Sequence, residues 1–211
     1  FWLFGVIGVL LGVLWFKFVP DNPKQSPYVN EAELEHINDG RENTVEAKEI
    51  APWGKLLKSS QFWSLGLQFM ITDYIMYVFL AWLPLYLMEV HGFSLSKMGL
   101  WAAAPWLSLM AVVSCCGYLS DKAIAAGFSQ NLVKTSTGAV GILLCACTLF
   151  IATRTADPMM NVFWLSVALG SLGLTMSASW SSVISMGGRF AGSVSGWMNF
   201  WGNIGGVLAP S

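Results

Sequence analysis

Residues 61–88 read QFWSLGLQFMITDYIMYVFLAWLPLYLM, a run broken by a single charge, Asp73. A helix needs about 20 consecutive apolar residues to cross a bilayer. This stretch exceeds that length and predicts a membrane-spanning helix over 61–88. Four further stretches repeat the pattern. No charge falls between Lys97 and Asp121, between Lys134 and Arg154, between Asp157 and Arg189, or after Arg189. With the apolar start of the chain they predict six helices, over about 1–19, 61–88, 97–119, 132–153, 159–186 and 190 to the end. The fold class is therefore an all-α polytopic membrane protein. Phe1 and Ser211 both fall within apolar runs, so the expectation is a fragment cut within a helix at each end.

Composition supports this reading. Of 211 residues, 55% are hydrophobic and 11% charged, with a mean hydropathy of +0.59. Soluble domains carry about 25% charged residues. Eleven Trp suit a bilayer, whose interfaces favour indole rings. A net charge of −1 offers no basic surface for a phosphate backbone, so no nucleic-acid partner is expected. Cys115, Cys116, Cys145 and Cys147 lie in apolar stretches without metal-ligand spacing. No metal and no organic cofactor is expected. His36 and His91 are the only histidines, and neither belongs to a nucleophile–base or metallopeptidase pattern. An enzyme is not expected.

The charges concentrate in one segment. Eight of twelve acids and five of eleven bases lie between Asp21 and Lys58. This segment opens with Pro20, Pro23 and Pro27, which favour extended chain. Asn30, three residues before Glu33, predicts a capped short helix ending at Gly40. Trp53, Lys55 and Lys58 suit a short interfacial helix ahead of residue 61. One side of the membrane holds Lys17, Lys24, Arg41, Lys48, Lys55, Lys58, Lys122, Lys134 and Arg189; the other holds Lys97 and Arg154. That bias places residues 20–60 in the cytoplasm, and the short loops alone lean the same way, three to two.

A few polar residues within the spans carry the chemistry. Asp73 falls about twelve residues into its helix, ~18 Å along it. A carboxylate near mid-bilayer costs at least ~2.5–3.5 kcal/mol on insertion scales, so it is paired, protonated or facing a water-filled path. It is the candidate for proton or cation coupling, and Tyr77 shares its face one turn on. Pro84 predicts a kink near the outer end. Ser177 and Trp180 share a face and suit a polyhydroxy or carboxylate ligand, although the serines around them also serve close packing. Asn199 and Asn203 lie one turn apart, and an amide in lipid needs a partner. Around them, Gly192 with Gly196 and Gly202 with Gly206 form two GxxxG pairs that allow close backbone approach. Gly117, Asp121 and Lys122 form a Gly-x-x-x-Asp-basic turn between two helices, a candidate conformational motif. No Lys or Arg is expected to be buried in any of these helices.

Taken together these segments resemble the major facilitator superfamily and, within it, the anion:cation symporter family. The resemblance rests on Val19-Pro-Asp-Asn-Pro23, Asn30-Glu-Ala-Glu33-Leu-Glu-His-Ile37, Pro52-Trp53 and Phe62-Trp63. It continues through Tyr74-Ile-Met-Tyr77-Val-Phe-Leu-Ala-Trp82-Leu-Pro84-Leu-Tyr86, Gly117-Tyr-Leu-Ser120-Asp121, and Gly196-Trp-Met-Asn199-Phe-Trp-Gly202-Asn203-Ile-Gly205-Gly206. It implies helices six to eleven of a twelve-helix bundle: residues 1–19 as the sixth, 20–60 as the central loop and 61–211 as helices seven to eleven. Helix twelve and the amino-terminal half would lie outside the chain. The implied activity is symport of an organic anion with protons or sodium, the anion being a sugar acid or an aromatic carboxylate. The implied setting is a bacterial inner membrane or a plasma membrane, with lipid and the amino-terminal half as partners. Ser177, Trp180 and Asn199 match the family's substrate contacts, with Tyr77 and Asn203 beside them. Many members carry Asn where this chain has Asp73, which opens a different coupling scheme. The alternative is an exporter of a cationic or neutral solute; a membrane scaffold is a third reading.

Overall fold

The computed structural model describes residues 2–20, 23–38 and 51–209. The chain forms two compact units, Phe1–Ile50 and Ala51–Ser211. In the first, helix α1 covers Trp2–Phe18 and α2 covers Glu31–Asn38. The side-chain oxygen of Asn30 accepts from the Glu33 amide at 2.8 Å, the cap expected for α2. The prolines do not simply extend the chain, because Pro23–Gln25 closes a 3-10 turn. The pyrrolidine ring sets a φ that also suits the first residue of a helical turn. Gly40, Arg41 and Lys48 lie outside the described residues.

The second unit begins with the short helix α3, Trp53–Leu56. The long helices follow: α4 Ser60–Glu89, α6 Ala103–Ala125, α7 Gln130–Arg154, α8 Pro158–Gly187 and α9 Ala191–Leu208. A seven-residue helix α5, Leu95–Trp101, leads into α6. Among the described residues no strand occurs. Among the described residues, four helical stretches are long and apolar enough to cross a membrane: 60–89, 95–125, 130–154 and 158–208. The last contains two helices, α8 and α9, divided by a 3-10 turn at Gly188–Phe190. Helix α1 is apolar but, at 17 residues, shorter.

Two of the long helices start at a side-chain cap. Asp157 caps α8, accepting from the Met160 amide at 2.8 Å ahead of Pro158. Ser129 caps α7 through the Leu132 amide at 3.2 Å. Helix α4 runs without a break through Pro84 to Glu89. Helix α6 continues past the expected end near 119 to Ala125, so Asp121 and Lys122 join Gly117 on the helix and do not lie in a loop. Ala123, Ile124 and Ala125 extend it readily. The chain reverses only at Gly127, whose φ of +97° suits a residue without Cβ.

Helix α8 is the axis of the unit, packing on α4, α6, α7 and α9. Its neighbours approach closely because its contact positions are small. Gly170 meets Ser108, and a Cβ on Gly173 would lie 3.1 Å from the Leu109 carbonyl. On α7, Gly141 meets Thr175 of α8, whose hydroxyl donates to the Gly138 carbonyl at 3.2 Å. One apolar core gathers Phe79, Leu83, Leu87, Leu109, Leu169 and Leu172. A second gathers Phe62, Leu65, Phe69, Val183, Val194 and Met198 at the other end of α4.

Candidate functional site

The sequence-predicted polar residues lie mainly on three helices in mutual contact, α4, α8 and α9. Asp73 lies near the middle of α4, half-buried against α9. The glycines of α9 explain how. A Cβ on Gly202 would collide with the Asp73 carboxylate and would lie 2.9 Å from the Phe69 ring. One on Gly205 would strike the Met70 carbonyl, and one on Gly206 would lie 2.7 Å from the Tyr77 ring. The second glycine pair is thus a track against which Phe69, Asp73 and Tyr77 lie. The first pair departs from expectation: nothing lies within 4 Å of a Cβ built on Gly192 or Gly196. The two pairs share a spacing, but only the later one faces α4.

Trp180 joins this region through Phe69, the two rings meeting edge to face at 6.2 Å. Its indole remains 39% exposed. Ser177, one turn earlier on α8, is half-buried. Asn199 and Asn203 flank the glycine track and are exposed. Each donates an amide hydrogen to its own helix, Asn199 to the Ser195 carbonyl at 3.0 Å and Asn203 to the Asn199 carbonyl at 2.8 Å. An Asn amide has two donors and one acceptor group, so each keeps hydrogen-bonding capacity for a ligand. Tyr77 is exposed, with its ring against Gly206. Among the described residues no cationic side chain meets the Asp73 carboxylate.

Gly117, Asp121 and Lys122 lie apart from this cluster, on the last turns of α6. Asp121 and Lys122 are exposed, and the Lys122 ammonium lies over the Tyr118 ring at 4.6 Å.

Several participants were missed from sequence. Gln68 lies one turn before Thr72 on α4, and its amide nitrogen donates to the buried Ser179 hydroxyl of α8 at 3.0 Å. A lone amide in an apolar span was the available signal. Lys134 corrects the expectation of no buried base. It lies within α7, is 9% exposed, and donates to the Ser185 hydroxyl at 2.9 Å and the Ser181 carbonyl at 3.1 Å on α8. Its place at the edge of a charge-free run had marked it as a topogenic charge at the surface. A third group is aromatic. Trp197 stacks on Phe62 at 4.9 Å and donates its indole N–H to the Phe62 carbonyl at 3.3 Å. Trp201 packs on Trp197 at 5.7 Å, and its buried indole nitrogen has no hydrogen-bond partner.

Among the described residues no group of three or more His, Cys, Asp or Glu is arranged to hold a metal ion.

Residues 1–210 match the sequence profile of the Major Facilitator Superfamily. The chain belongs to this superfamily. It is therefore an integral, multi-pass membrane protein of a transporter family and not an enzyme. The superfamily chain is 28% identical over 211 residues to the chloroplastic ascorbate transporter of Arabidopsis thaliana, covering 100% of this chain and 39% of that one. It is 29% identical over 213 residues to a probable sulfoacetate transporter of Cupriavidus necator, covering 100% and 49%. It is 28% identical over 223 residues to a D-galactonate transporter of Escherichia coli, covering 99% and 51%. The chain thus spans 39 to 51% of the length of these relatives.

Proposed function

We propose that this chain is the carboxy-terminal part of a secondary transporter that moves an organic anion by proton-coupled symport and alternating access. The observation that carries the reading is the cluster on α4, α8 and α9. There the half-buried Asp73 carboxylate lies against Gly202, the exposed Trp180 indole meets the Phe69 ring, and Asn199 and Asn203 on α9 keep spare hydrogen-bonding capacity. The names of the relatives, which describe transporters of ascorbate, sulfoacetate and D-galactonate, support an acid rich in hydroxyl or other oxygen groups. In this reading Trp180, Ser177, Asn199, Asn203 and Tyr77 contact the solute. Asp73 takes and releases the coupling proton, with sodium as the alternative ion. The bare Gly202–Gly206 track lets α9 shift along α4 as the site changes sides.

Residues 1–19 and 61–211 act as membrane helices six and seven to eleven, with 20–60 as a cytoplasmic loop. Gly117, Asp121 and Lys122 act as a conformational latch at the α6 end. The membrane is a bacterial inner membrane or a plasma membrane. The amino-terminal half of the protein closes the site and supplies the cation that a bound carboxylate needs, since the Lys134 ammonium is committed to α8. Lipid surrounds the bundle, and no nucleic acid takes part.

A second reading draws on one observation, the absence of a described cation beside Asp73. A carboxylate so placed would suit a cationic or neutral solute moved outward. Both readings are tested by solute counterflow in vesicles containing the complete protein. The panel holds D-galactonate, ascorbate, sulfoacetate, an aromatic carboxylate and an organic cation. Saturable counterflow of an acid is expected; counterflow of the cation alone would overturn the anion reading.

A further inference from the structure

At the far end of α4 from Phe62, three polar residues tie three elements together. Asn161 on α8 is fully buried. Its amide nitrogen donates to the Ala152 carbonyl at 2.9 Å, near the end of α7, and to the Tyr86 hydroxyl of α4 at 3.1 Å. The Thr155 carbonyl lies at 3.5 Å from the same nitrogen. Beyond it, the Tyr86 hydroxyl lies 3.2 Å from Nε2 of His91 in the turn after α4, with the two rings edge to face at 5.1 Å. The Asn161 carbonyl oxygen is buried without any partner.

Counting protons sets the direction of the Asn161 bonds, and the imidazole tautomer sets that of the Tyr86–His91 bond. The α7 carbonyls can only accept, so the amide nitrogen of Asn161 must face them. Tyr86 then accepts from Asn161 and has its single proton free for Nε2 of His91. This order requires a neutral imidazole with its own proton on Nδ1. An imidazolium is a donor at both nitrogens. Tyr86 would then receive two donors, and its proton would need another acceptor. The partnerless Asn161 oxygen belongs to the same amide. To accept that proton the amide must turn, which withdraws its nitrogen from Ala152 and Thr155.

We infer that Tyr86, His91 and Asn161 form a proton-sensitive clasp across the ends of α4, α7 and α8, closed when His91 is neutral and opened when it is protonated. Imidazole is the side chain that ordinarily changes charge between about pH 5 and 8. The charged groups of the surrounding elements are Glu89 at the end of α4, Lys97 on α5, Arg154 at the end of α7 and Asp157 at the start of α8. The Lys97 ammonium lies over the Phe93 ring at 4.2 Å, and Phe93 itself meets the His91 ring at 6.4 Å. The Arg154 guanidinium lies over Phe150. Among the described residues no carboxylate lies within ion-pairing distance of the imidazole.

The test uses the complete protein in lipid nanodiscs with nitrogen-15 histidine, the His91 signal being identified by its loss in His91→Gln. At about pH 8 the imidazole is expected to carry its proton on Nδ1, and Tyr86→Phe should shift it toward the Nε2–H form. Hydrogen exchange of residues 150–162 gives the second readout. From about pH 7.5 to about pH 5.5, exchange corrected for intrinsic rate should rise roughly tenfold in the parent protein and stay level in His91→Gln. A neutral Nε2–H form in the parent, or equal exchange in the two proteins, would overturn the inference. Both variants leave the solute-facing residues untouched, so a failure here is separate from a failure of the transport reading.

Discussion

Asp73, Trp180 and Lys134 show three fates of a polar side chain in an apolar bundle. Asp73 is spared full exposure to lipid by the glycine track of α9, and Trp180 by the Phe69 ring. Lys134 donates to the Ser185 hydroxyl and the Ser181 carbonyl. Hydrogen bonds from a charged donor contribute about 1.5–3 kcal/mol. Lys134→Ala should therefore lower the thermal unfolding midpoint clearly, and Lys134→Met, which keeps the aliphatic stem, should lower it less. Equal midpoints for parent and alanine variant would remove the role assigned to this bond. At the proposed solute face, Trp180→Ala should raise KM for the transported acid about tenfold, a loss of about 1.4 kcal/mol of binding, while Trp180→Phe retains part of the affinity. Unchanged KM in both would separate Trp180 from the solute. Asp73 was legible from sequence because its charge stands alone between Lys58 and Glu89. Lys134 was not, because its burial depends on Ser181 and Ser185, which are remote in sequence.

Helix boundaries were legible almost throughout, since the charge-free runs end where the helices end. The exception is α6, where Asp121 and Lys122 suggested a loop although the helix continues to Ala125. An exposed face of a helix end accepts charge as readily as a loop does. The two glycine pairs of α9 teach a different lesson. Gly192/Gly196 and Gly202/Gly206 have one spacing, yet only the second meets α4. Spacing places glycines on a stripe; it does not say what faces the stripe. Substitution should separate them. Gly205→Ala would press a methyl onto the Met70 carbonyl and should destabilise by about 1–3 kcal/mol, as overpacking does. Gly196→Ala should stay within about 0.5 kcal/mol. Comparing the unfolding midpoints of the two variants in detergent checks this. A similar shift in both would mean that the α4–α9 seam is not the tight contact described.

At the scale of the whole molecule, the superfamily assignment and the helical spans agree with the composition of the chain. The sequence also carried the carboxylate, the indole and the amides of the proposed site. Their assembly was less legible, because it depends on Gly202, Gly205 and Gly206 bringing α9 onto α4 and on Phe69 linking α4 to Trp180. Side chains of α4 then meet α9 although about half the chain separates the two helices. In the proposed mechanism this site couples an organic acid to proton movement through Asp73. The most direct measurement is solute-driven proton uptake in cells expressing the complete protein, with Asp73→Asn alongside. One carboxylate is expected to alkalinise the medium and to lose that effect in the variant, while counterflow of the same acid persists. Alkalinisation that survives Asp73→Asn would contradict the coupling role, and a response to an organic cation with none to any acid would rule out anion symport.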